Sequence, residues 1–216
     1  MTQKITTPYF IYSPTGRTGS TILKAWVDSS PDIGPNANER TDLPSWLMHL
    51  FAGPSAGQED LDYFFRREPV YEGFRKLTSC YQKSKKHRFG LKIHTLDALP
   101  IFMQIWPDAK VIHSVRNREE QYRSKKEQQE SVFSQILYRD QFDDKIRKEE
   151  LEIANIPNLR IDYEEIPNRI NEVFEYLELT PGNLTVEQKK SVYFSRTFNN
   201  REAEFDETGW LKQEKQ

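Results

Sequence analysis

The chain has 216 residues, 36% apolar and 30% charged, with a formal net charge of −2 at pH 7. That length supports a single domain, residues 1–216, with a real core, and the near-balanced charge argues against a general nucleic-acid binder. No apolar run is long enough to span a bilayer, no apolar leader or membrane anchor is evident, and the lone Cys80 excludes an intramolecular disulfide, which together point to a soluble, cytoplasmic protein.

In chain order, "PYFIYS" (8–13) predicts a buried strand and "STILKAWVDSS" (20–30) the helix after it. Residues 30–44 are rich in turn formers and predict a short strand or irregular crossing, followed by helices over 44–51, 59–66 and 69–86. "RFGLKIH" (88–94) reads as a strand, "LDALPIFMQIW" (96–106) as a helix and "AKVIHSVRN" (109–117) as an apolar strand ending in charge. A polar helical stretch runs from Arg118 to Glu152, with a break expected near 130–131. Its charge runs "KKEQQE" (125–130) and "DDKIRKEE" (143–150) read as solvated faces. "NLRIDYEEI" (158–166) predicts a further strand and "PNRINEVFEYLEL" (167–179) an amphipathic helix. Thr185 and Gln188 stand at capping-box spacing, which starts a helix over 184–194.

Strands alternating with helices imply an α/β fold, a three-layer sandwich with a central, mostly parallel sheet. Ligands in such sheets bind beyond the carboxyl ends of the strands. Three polar strand ends, Pro14–Gly19, Lys92–His94 and Arg116–Arg118, would open toward one crevice.

The first of these is a P-loop-like, anion-cradling turn. Gly16 and Gly19 allow close backbone approach, while Thr18, Ser20 and Thr21 add hydroxyls and Arg17 a permanent charge at a helix amino terminus. A nucleotide-triphosphate loop would need glycine and lysine where this chain has Pro14 and Ser20.

"SPTGRTGSTIL" resembles the 5′-phosphosulfate-binding loop of sulfotransferases, and "WPDAKVIHSVRNREEQYRSK" (106–125) is similar to their second nucleotide-binding block. The resemblance spans about residues 8–180 and is nearest to soluble bacterial or viral members, with some likeness to protein-tyrosine sulfotransferases. It implies 3′-phosphoadenosine 5′-phosphosulfate (PAPS) as donor and 3′-phosphoadenosine 5′-phosphate (PAP) as product, with no metal required. On this resemblance Arg17, Thr18, Gly19, Ser20 and Thr21 hold the 5′-phosphosulfate, and Arg116 and Ser124 the 3′-phosphate. Tyr163, in "LRIDYEEI", would lie near the adenine, and "FDETGWLK" (205–212) partly matches an element that closes over the nucleotide.

Two residues compete as the base that deprotonates the acceptor. "LKIH" (91–94) resembles the Lys-x-His of cytosolic sulfotransferases, with His94 as base and Lys92 touching the sulfuryl group. "VDSSPDIGPNANERT" (27–41) resembles the segment in which a glutamate, here Glu39, takes that role, and this branch is preferred because of the long gap between Arg17 and Lys92. The acceptor, whether small molecule, carbohydrate, lipid or peptide, is not named by the sequence, nor is the oligomeric state. Its specificity belongs to the variable segment 40–88 and the C-terminal residues. The rival readings are a P-loop-type kinase or NTPase acting on a small metabolite and a non-catalytic nucleotide-binding module.

Overall fold

The computed structural model describes residues 7–33, 90–94, 96–133, 136–194 and 205–210. The expected helices between 44 and 86, most of the 30–44 crossing and Glu39 lie outside these residues.

Four strands form one parallel sheet in the order β2-β1-β3-β4, with β1 at Tyr9–Tyr12, β2 at Gly90–Ile93, β3 at Lys110–Val115 and β4 at Asn158–Asp162. β1 lies inside the sheet and all four of its residues are fully buried. It therefore reads as a continuous apolar run, because both of its faces are covered.

Alternation along β1 divides the core in two. Phe10 and Tyr12 join Leu91, Ile93 and Val111 under helix α2 (Ala98–Ile105), with Ile153 of α4 (Arg139–Ile153). Tyr9 and Ile11 join Ile112 and Ile161 on the other face, against α1 (Ser20–Val27) and α5 (Ile166–Leu177). α5 contributes Ile166, Ile170, Val173, Phe174 and Leu177, the stripe its 3.6-residue pattern requires. Helices thus cover both faces of a parallel sheet, as expected. Among the described residues no helix is long and apolar enough to cross a membrane.

Two boundaries differ from expectation. β4 stops at Asp162, opposite Val115 at the end of β3. With no partner to extend the ladder, Tyr163–Glu165 turns as a 3-10 helix into α5, which carries Pro167 in its first turn. The polar helical stretch divides later than predicted, into α3 (Arg118–Phe133) and α4, with Tyr138 extended just before α4. Tyr122 bridges this junction, donating to the Leu137 carbonyl at 3.2 Å and packing on Phe142. The break is therefore set by packing, with no glycine or proline to announce it. α6 (Val186–Phe194) begins with the expected reciprocal cap: Gln188 N–H donates to Thr185 Oγ1 at 3.2 Å, and Thr185 N–H to Gln188 Oε1 at 2.9 Å.

Candidate functional site

Because the strands are parallel, the residues that follow β1, β2, β3 and β4 leave the sheet at one edge: Ser13, His94, Arg116 and Tyr163. The three expected strand ends are thus neighbours, and a fourth joins them.

The turn after β1 has three consecutive-region residues at positive φ: Gly16 at 74°, Arg17 at 63° and Gly19 at 76°. Gly19 is required twice over, since a Cβ there would sit 2.1 Å from Cδ2 of Tyr163. α1 starts at Ser20 with no side-chain cap, which leaves its first N–H groups to an outside acceptor, the feature by which helix amino termini take up anions. Thr18 turns inward, its hydroxyl 2.6 Å from that of Ser13 and its carbonyl accepting from Ser114 Oγ at 2.8 Å. Ser20 is buried, and Thr21 Oγ1 accepts from Lys92 Nζ at 3.1 Å.

Arg17 and Ser124 meet directly: the guanidinium Nε donates to Ser124 Oγ at 2.9 Å. Ser124 was expected with Arg116, but Arg116 donates to Glu120 at 2.9 Å and lies 3.6 Å from Glu164. Its guanidinium also stacks over the Tyr163 ring at 4.7 Å. Tyr163 in turn packs against Trp210, at 5.7 Å between ring centroids, and Trp210 against Trp26 at 6.0 Å. The Gly209–Trp210 element therefore reaches the turn through Tyr163. Arg118 points elsewhere, to Asp143 at 3.0 Å.

On the β2 side, Lys92 lies within the strand, and His94 stands one residue beyond its end at Ile93. Lys92 joins a polar cluster in which Tyr9 donates to Asp28 at 2.7 Å and Lys24 pairs with the same carboxylate. Burial, and then the neighbouring Lys24 charge, lowers the Lys92 ammonium to about 8, with Asp28 opposing. Burial pushes the Asp28 carboxyl up, with Lys24, Tyr9 and Lys92 opposing. His94 Nδ1 lies 3.2 Å from the Ser13 carbonyl. A carbonyl only accepts, so Nδ1 carries the proton and Nε2 keeps a lone pair. Enclosing protein, then Lys92, holds the imidazole below its ordinary range, although His94 remains exposed to solvent, which softens the effect.

Sequence reasoning missed the residue that anchors the turn. Glu149 of α4 is buried, and its Oε2 accepts the Thr15 N–H at 3.0 Å and the Thr15 hydroxyl at 2.5 Å. Its Oε1 lies 3.0 Å from Nε2 of buried His113. Glu149 stands in a charge run that otherwise looks solvated, and no local signal separates it from its neighbours. Gln121 of α3 was also missed; its amide donates to the Gly16 carbonyl at 2.8 Å.

No family model matches the chain, and no curated protein matches it in sequence. Among solved structures, it is similar to the sulfotransferase STF9 from Mycobacterium avium, with a TM-score of 0.51 at 13% identity, over 93% of this chain and 70% of that one. A sulfotransferase from Alicyclobacillus acidocaldarius aligns with a TM-score of 0.44 at 14% identity, over 87% of this chain and 91% of the other. The first likeness establishes a sulfotransferase-like α/β fold.

Proposed function

We propose that the chain is a PAPS-dependent sulfotransferase acting on a hydroxyl or amine. The observation that carries this reading is the Arg17–Ser124 bond, which joins the glycine turn after β1 to the helix after β3. It sets one guanidinium between the two places where an adenosine carrying 5′- and 3′-anions would be gripped.

The residues present suit such a donor. Arg17 and the uncapped start of α1, with Gly19, Ser20 and Thr21, form a positive concave turn for a phosphosulfate. Thr18 shapes that turn from within. Ser124 and Arg116 would together hold the 3′-phosphate, for which Arg116 would exchange Glu120 for the ligand. Tyr163, backed by Trp210, offers the flat surface an adenine needs. PAPS would supply an activated sulfuryl group: the acceptor oxygen or nitrogen bonds to sulfur, and the bond from sulfur to the 5′-phosphate oxygen breaks with its electrons passing to PAP.

This chain's residues then have two tasks, stabilising the charge on the departing phosphate and taking the acceptor's proton. Arg17 and Lys92 do the first by electrostatics. His94 is suited to the second, since Nε2 holds the free lone pair and an arriving anion would raise its depressed basicity. Glu39, the other candidate, is tested beside it.

Thermal unfolding with PAP tests the reading. At about 100 times its dissociation constant PAP should stabilise by about 2.7 kcal/mol, whereas ATP with Mg²⁺, or the analogue without the 3′-phosphate, should do much less. Equal stabilisation by PAP and that analogue refutes it. Turnover of labelled PAPS by His94→Ala and Glu39→Gln then identifies the base, because the variant lacking it loses the acceptor-dependent rate.

A further inference from the structure

The helix that anchors the anion turn also reaches the neighbouring turn. Glu149 and Glu152 stand three residues apart on α4, a spacing that puts both carboxylates on one face of the helix. Glu149 takes the amide and hydroxyl of Thr15, in the turn after β1. Glu152 takes the turn after β2: its Oε2 accepts the Asp97 N–H at 2.7 Å and its Oε1 the Leu99 N–H at 3.2 Å. Asp97 enters α2 at φ 67° and caps nothing with its own side chain, so a carboxylate from another helix serves the start of α2. A non-glycine residue keeps a left-handed backbone only when its surroundings fix it, and the bonds from Glu152 supply such a hold.

His94 lies between these two clamped turns. Ile93, just before it, accepts the Ser13 N–H at 3.0 Å, which ties the ends of β1 and β2 together. The Ser13 carbonyl accepts twice, from the Gly16 N–H at 3.1 Å and from His94 Nδ1 at 3.2 Å. The imidazole therefore hangs on the first residue of the turn that Glu149 holds. Its own backbone runs on to the two amides that Glu152 holds. His94 is exposed, and an exposed imidazole keeps one tautomer only while a fixed acceptor holds one of its N–H positions. A shift of about 0.5 Å between the two turns would carry the Nδ1 contact out of hydrogen-bond range.

We infer that Glu152 is a positioning residue for His94: with Glu149 it braces the turns after β1 and β2 from one face of α4, and so keeps Nδ1–H on the Ser13 carbonyl and the lone pair on Nε2. The brace serves catalysis through the sulfotransferase reading above, on which it rests for the proton that His94 would take.

The tautomer is read on the free protein, without donor or acceptor, by proton–nitrogen correlation NMR of the imidazole at neutral pH. Wild type should show a protonated Nδ1 and a bare Nε2. Glu152→Ala should show the two nitrogens averaged, and Glu152→Gln, which keeps an oxygen for one amide, should fall between. Leu177→Ala, in the core on the other face of the sheet, lowers stability without touching either turn and should leave the tautomer as in wild type. Averaged nitrogens in wild type, or Nδ1–H fully retained in the folded Glu152 variants, overturns the inference; if alanine prevents folding, glutamine decides. In the labelled-PAPS assay Glu152→Ala should lose about tenfold or more in kcat, with little change in PAP affinity and no further loss once His94 is alanine. A further loss in that background overturns the inference as well. Failure of wild type to bind PAP sinks the donor reading alone, since the tautomer is measured without it.

Discussion

Replacing Glu149 by alanine removes the acceptor of three hydrogen bonds at once, two from Thr15 and one shared with His113. The carboxylate is only 3% exposed, so water does not take over these bonds, and the Thr15 amide and hydroxyl are left buried without an acceptor. Removing one member of such a buried polar pairing costs about 3–5 kcal/mol. For a chain of this length, each kcal/mol lowers the melting temperature by about 2–4 °C. A fall of roughly 10 °C is therefore expected. Glu149→Gln keeps one oxygen for Thr15 and offers an N–H to His113, and should lose only about 1–2 kcal/mol. Because Thr15 adjoins Gly16 and Arg17, PAP affinity should follow the same order, wild type above glutamine above alanine. Urea unfolding followed by tryptophan fluorescence, with PAP titration at a temperature where each variant is folded, measures both quantities. An alanine variant within about 1 kcal/mol of wild type, or one that is folded and binds PAP normally, refutes the idea that α4 holds the turn in shape.

Three further outcomes are expected. Arg17→Gly relieves a left-handed backbone worth about 1–2 kcal/mol, so it should raise the melting temperature of the free protein while weakening PAP; loss of stability instead would mean that the Ser124 bond outweighs the strain. Gly19→Ala should destabilise and abolish PAP binding, since the new methyl would displace Tyr163 at a residue with φ 76°, and a normal dissociation constant would count against the turn. Lys92 has a folded pKa of about 8 against an ordinary 10.5, so the folded state holds fewer protons between those values and stability rises with pH across that window. Lys92→Met should accordingly stabilise by about 1–3 kcal/mol at neutral pH, with the difference closing as pH rises through the window and turnover falling. A pH-independent difference in urea midpoints would contradict this.

Short-range order in the chain was sufficient to locate much of this architecture. The apolar run of β1, the stripe on α5, the glycines of the anion turn and the Thr185–Gln188 cap depend on contacts within a few residues, and local sterics and hydrophobic period encode such contacts directly. The meeting of three strand ends also followed, because parallel strands must all finish at one edge of the sheet. Pairing across the fold was decided by tertiary structure alone. Ser124 takes Arg17, 107 positions away, while Arg116 turns to Glu120 and Tyr163. Thr15 takes Glu149, 134 positions away. Lys125 and Lys145 sit in runs whose composition suits a solvated surface, yet both are half-buried where their helices pack. A side chain's partner depends on where its whole helix packs, and that packing is a sum over distant apolar contacts that no local window of sequence contains.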